Sequence, residues 1–123
     1  MKMRIITGTG IAAVMLSSSV AAHHSFAMFD KTREIELKNV TVKEWQWTSP
    51  HTWLFVVAAD GTKWSIEGGN PGVMRREGFA KGSLAAGDKI TVYIAPLKSG
   101  LKGGSINAVI PHSGKMLGER MKP

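Results

Sequence analysis

The chain has 123 residues, a formal net charge of +7 and no cysteine. Its length leaves room for one small domain, not two, and the lack of thiols excludes disulfides and thiolate metal ligands. No apolar run approaches the roughly 20 residues a membrane-crossing helix requires, so no membrane-spanning segment is expected.

Residues 1–22 read as a secretory signal. Lys2 and Arg4 give a basic start, Ile5 to Leu16 a short apolar run, and Ser17 to Ala22 the small residues of a cleavage site. Val20 and Ala22 fit the −3 and −1 positions, so the mature chain is expected to begin at His23; cleavage after Ala21 is the alternative. The expected location is periplasmic or secreted. Losing Lys2 and Arg4 takes the charge from +7 to +5. The remaining cations are scattered singly, apart from Arg75-Arg76, which describes a solvated basic surface and no nucleic-acid partner.

Residues 23–32 form an N-terminal arm with Phe26 and Phe29 as anchors. Residues 33–47 carry a long β pattern: Ile35 and Leu37, then Val40 and Val42, then Trp45 and Trp47. The phase slips by one residue between Leu37 and Val40 and again between Val42 and Trp45, which predicts bulges or coiling. Thr48-Ser49-Pro50 breaks the strand. Residues 52–59 form a second strand, Asp60-Gly61 a hairpin turn, and residues 62–67 the return, with Trp64 and Ile66 on one face. Asn70-Pro71 reads as a helix cap and first turn, with the helix running to about Phe79. Residues 89–95 form a fourth strand and residues 105–110 a fifth. The Gly-rich stretch between them reads as a flexible connection, and residues 112–123 as a flexible C-terminal tail.

Five strands, a bent first strand and a short helix between strands three and four predict an all-β, OB-like Greek-key barrel over residues 33–111. The spacing from Leu84 through Gly87-Asp88 to Ile90 and Val92 suits such a barrel. A small β-sandwich is the alternative fold.

Particular segments also resemble the DUF6152 family of bacterial exported proteins of unknown function. They are His23-His24-Ser25-Phe26 with Phe29-Asp30, Glu44-Trp45-Gln46-Trp47, Ser49-Pro50-His51-Thr52-Trp53, Trp64-Ser65-Ile66-Glu67 and Gly87-Asp88. The likeness runs from the signal to about residue 111. This chain has Ser49 where the family usually has Asn, and Pro111-His112-Ser113-Gly114 where it usually has Pro-Asp-Gly. The resemblance implies a periplasmic single-domain protein and brings no activity with it.

Three histidines are the candidate metal ligands. A chain starting at His23 offers its amine and ring to one ion, and His24 adds a second ring; a chain starting at Ala22 has a His in third place, a square-planar arrangement suited to Cu(II) or Ni(II). The opposing reading is a flexible polar terminus. His51, on the break between Trp47 and Trp53, is either a third ligand or a ring that fixes its loop through a backbone carbonyl. Asp30 and Glu67 are carboxylate candidates, with Asp30 nearer the His pair. Trp47, Trp53 and Asp30 are the candidate ligand-binding residues. The four tryptophans are otherwise expected in the core or anchoring loops. No catalytic triad, carboxylate pair or phosphate-binding loop is legible, so no enzyme is expected. The sequence thus reads as a periplasmic module binding a transition metal, copper first. The alternative is a β-barrel module without metal for a small ligand or another periplasmic protein.

Overall fold

Strand β1 (Ile35–Gln46) organises the barrel by serving two partners with its two halves. In the computed structural model, which describes residues 27–123, its first half pairs antiparallel with β4 (Lys89–Pro96) and its second with β2 (Trp53–Val57). Both slips in the apolar pattern are bulges. The register shifts between Leu37 and Val40 against β4, and between Val42 and Glu44 against β2. Asn39 sits in the first bulge at φ 50°, a left-handed conformation that asparagine tolerates better than most residues. Because each bulge absorbs its slip, Val40 and Val42 remain buried.

After the Asp60-Gly61 turn the chain returns as β3 (Lys63–Glu67), antiparallel to β2. Helix α1 (Pro71–Arg76) follows; the Asn70 carboxamide oxygen accepts the Val73 N–H at 3.0 Å. The helix stops three residues short of the expected Phe79. Gly78 takes φ 94° and the Phe79 N–H donates to the Met74 carbonyl at 3.0 Å, a left-handed helix ending that turns the Phe79 ring into the core. Met74 and Phe79 join Leu54, Val56, Ile66, Val92, Ile94 and Val109 there, with Trp45, Trp47 and Trp64 packed against the cluster.

Strand β5 (Gly103–Ile110) closes the structure. It runs antiparallel to β4, and its first three residues pair in parallel with Ser65–Glu67 of β3. The ring β1-β2-β3-β5-β4 is thereby complete, a five-stranded OB-type Greek-key barrel. The expected flexible connection is corrected at its last two residues: Gly103 and Gly104 are buried strand residues. A Cβ on Gly104 would lie 2.5 Å from the Ala95 carbonyl oxygen, and one on Gly103 2.7 Å from that of Ser65. Only glycine lets three backbones approach this closely.

The C-terminal residues correct a second expectation. Leu117–Gly118 form a short sixth strand, β6, on the part of the β5 edge that β3 does not reach. The tail is also tied down by Glu34, whose side chain is only 7% exposed. Its carboxylate accepts bonds from Asn107 Nδ2 (2.9 Å), Arg120 Nε (2.9 Å) and the Met121 N–H (2.8 Å). The Arg120 guanidinium also lies 4.1 Å from the Tyr93 ring centroid. This cover explains why Tyr93, on the outward side of β4, is buried. The tail is polar and carries no local mark of this anchoring, since Glu34 lies 86 residues from Arg120.

Two predictions follow from these constraints. Gly104→Ala should destabilise the domain by about 2 kcal/mol, roughly 10 °C in Tm, whereas Gly82→Ala, with open space around it, should leave the thermal transition within about 2 °C. An equal loss in both variants would contradict the closure argument. The second concerns acid. Burial pushes the Glu34 carboxyl up, but its bonds from Met121, Asn107 and Arg120 and the Arg120 charge outweigh this and hold it below the ordinary 4.5. Its stabilisation is therefore complete above pH 4.5 and lost as pH falls through the lower folded value. Glu34→Gln should cost about 2 kcal/mol at pH 7, and chemical denaturation should show that deficit shrinking below pH 4.5. A deficit constant with pH would contradict the assignment.

Candidate functional site

The loop from β1 to β2 is fastened to the end of β3 by Thr52. This side chain is fully buried. Its N–H and its hydroxyl both donate to the Gly69 carbonyl, each at 2.9 Å, and its own carbonyl accepts the Gly68 N–H at 2.9 Å. A Cβ on Gly68 would overlap the Thr52 hydroxyl, so the fastening requires glycine. The Thr48 hydroxyl donates to the His51 carbonyl at 2.6 Å, and the Ser49–Pro50 peptide is cis. These links hold His51 beside the last residue of β3, with His51 Nδ1 3.1 Å from Glu67 Oε1.

His51 and Glu67 line a cavity of about 220 Å³ together with Phe29, Ser105, Asn70 and Val73. Each wall comes from a different part of the chain. Phe29 belongs to the arm, where it is buried and bridges to Leu97. The Asp30 N–H donates to Pro96 O and the Lys98 N–H to Met28 O, both at 2.8 Å. Ser105 is opposite Glu67 in the parallel seam. Lys31 extends from the arm, and its Nζ donates to Ser105 Oγ at 3.0 Å. Burial pushes the Lys31 ammonium below its ordinary value, with the Glu67 charge opposing. The cavity therefore combines an imidazole, a carboxylate and a hydroxyl on largely apolar walls, with the Lys31 ammonium bonded to that hydroxyl.

The candidate residues divide. His51 lines this cavity, and Trp53 lines the neighbouring groove of about 250 Å³, which shares Phe29 and Glu67 with it. Trp47 lies elsewhere. Its ring packs 5.7 Å from Trp45 and under Arg75 at 5.5 Å, against the core. That makes it a packing residue, because the second bulge turns Trp45 and Trp47 toward the core. Asp30 is committed to its own turn: its carboxylate accepts the Thr32 hydroxyl at 2.6 Å and the Thr32 N–H at 3.0 Å, and pairs with Arg33 at 3.4 Å. The Thr32 hydroxyl, then its N–H, hold this carboxyl below the usual range, with the Arg33 charge adding to them. Glu67, not Asp30, faces His51; the preference for Asp30 rested on its nearness to the His pair, which lies outside the described residues. Lys31 was not singled out by sequence; only the β3–β5 pairing reveals that its reach ends at the seam. His23 and His24 lie outside the described residues.

Among the described residues, no three His, Asp or Glu side chains gather as a metal-holding group. None of the described helices is long and apolar enough to cross a membrane. No curated protein and no solved structure gives a match to this chain. The profile of DUF6152, a family of unknown function, matches residues 12–107, and the chain belongs to that family.

Proposed function

We propose that this protein is an exported, periplasmic module that binds a transition metal, copper first, through a processed N-terminus starting at His23, with His24 and His51 completing the donor set. The observation that carries the reading is the shared cavity wall of Phe29 and His51. Burying Phe29 contributes about 2 kcal/mol, which with the flanking backbone bonds anchors the arm at the rim. His24 precedes Phe29 by five residues, a reach of up to about 17 Å for extended chain. An amine with imidazoles suits Cu(II), and a chain without cysteine offers no thiolate to compete. The metal's role in this reading is sequestration, delivery or sensing.

A second reading rests on a different observation. OB barrels commonly bind through the outer face of strands two and three. Here Trp53 and Phe55 stack on that face, ring centroids 6.2 Å apart at 13°, beside exposed Met28 and Leu101. This suits a small ligand or a protein partner without metal.

Copper titration of the exported protein separates the two. The form starting at His23 should bind Cu(II) differently from one carrying an extra residue before it, and His51→Ala should weaken binding roughly tenfold or more. Identical binding by both forms, or none by either, would argue against the copper reading. A tryptophan-fluorescence response to a ligand that survives chelator and the loss of His23 and His24 would favour the second.

A further inference from the structure

Strand β2 turns Leu54 and Val56 into the core, so Trp53, Phe55 and Val57 stand in a row on its outer face. At about 3.3 Å per residue the row spans roughly 13 Å. Its two ends differ. At the Trp53 end, a groove of about 250 Å³ is walled by Leu97 and by the exposed Met28 and Leu101, with Glu67 at its edge. At the Val57 end, a second groove of about 340 Å³ is lined by Phe55, Trp64, Lys43 and Lys63. The two meet at Ser65, which lines both. The second bulge of β1 brings Lys43 there, and pairing with Val57 brings Lys63. A third cation, Lys102 Nζ, lies 5.3 Å from the Trp64 ring centroid. Among the described residues, none of these three lysines forms an ion pair with a carboxylate. The acids of this face are engaged: Glu44 accepts from Gln46 Nε2 and Asp60 from the Thr62 N–H, each at 2.9 Å, and Glu67 faces His51.

We infer that this face binds a single-chain anionic amphiphile of the fatty-carboxylate class, its head group among Lys43, Lys63 and Lys102 and its hydrocarbon tail lying over Phe55 and Trp53 toward Leu97. The inference rests on the second reading above, in which the outer face of strands two and three is the binding surface, and supplies its ligand class. Charge sets both sign and direction. Three ammonium groups favour an anionic head at the Val57 end, and the Glu67 carboxylate disfavours one at the other. The Trp53 and Phe55 rings, 13° from parallel, give the tail a flat apolar floor. Together the two grooves have the size and apolar lining of a small-molecule site. Their recessed shape suits a free molecule and not a bilayer surface.

The test titrates the exported protein at low salt with decanoate below its micelle concentration, and with decanol and decyltrimethylammonium as uncharged and cationic counterparts. Tryptophan fluorescence reads affinity, and ¹⁵N–¹H NMR reads location. Decanoate should bind roughly tenfold more tightly than either counterpart, move the Trp53 indole and the Phe55 and Lys63 amide signals, and lose about fourfold in affinity for each methylene removed from its chain. The triple variant Lys43→Gln/Lys63→Gln/Lys102→Gln, with an unchanged thermal transition, should bind it roughly tenfold more weakly. Wild-type affinity in that variant, or equal binding of all three amphiphiles at the same signals, overturns the anionic class and leaves the second reading standing. Decanoate binding with those signals unmoved overturns both. No binding of decanoate, or flotation with phosphatidylglycerol vesicles in its place, overturns the inference alone.

Discussion

The parallel pairing of β3 with β5 is the constraint on which the rest of the molecule depends. It occupies three residue pairs, Ser65–Gly103, Ile66–Gly104 and Glu67–Ser105, and converts an open sheet into a barrel. The approach is possible because neither Gly103 nor Gly104 carries a Cβ. Closure satisfies the edges of both strands, which would otherwise be unpaired, and seals Ile66, Ile94 and Val109 into one core. The same seam makes the cavity. It sets Ser105 beside Glu67, brings the Lys31 ammonium to Ser105, and leaves room for Phe29.

Two terminal segments then dress the barrel. The arm crosses near the start of β5 and bridges Leu97 through Phe29. The tail adds β6 farther along β5 and binds Glu34 through Arg120 and Met121. Glu34 immediately precedes β1, so the start of β1 and the C-terminal segment are joined at one buried carboxylate. What is built here is a rigid frame with a short N-terminal arm leading to the cavity. A metal held partly by the arm and partly by the frame would couple the position of the terminus to occupancy of the site.

The barrel was legible because its signals are local. Alternating apolar residues marked five strands, the Asp60-Gly61 turn marked the hairpin, and Asn70-Pro71 marked the helix start. Even the two bulges of β1 were visible as phase slips. The role of Gly103-Gly104 was not, since a glycine pair in a Lys- and Gly-rich stretch looks the same whether it is a loose connection or a crowded seam. The tail's anchoring was not legible for a related reason: its partner Glu34 is distant in sequence, and polar residues at a chain end carry no local mark of being anchored. At the site, His51 stood out through its Pro break. Asp30 ranked above Glu67 by its nearness in sequence to the His pair, whereas register across β2–β3 and β3–β5 decides which carboxylate meets the His51 imidazole. Trp47 and Trp53 flank the same break, yet the loop sends one to the core and the other to the groove.

A cation bound at this cavity, as proposed, needs donors from elsewhere. The Glu67 charge acts on the Lys31 ammonium, and among the described residues no three His, Asp or Glu side chains gather as a metal-holding group. In the proposed function the remaining donors come from a processed terminus, which makes the point of cleavage the centre of the account. Intact mass spectrometry of the exported protein under native conditions, with and without one equivalent of Cu(II), tests this directly. The account predicts a chain beginning at His23 that gains the mass of one copper ion; a chain beginning beyond His24, or no gain in mass, would contradict it.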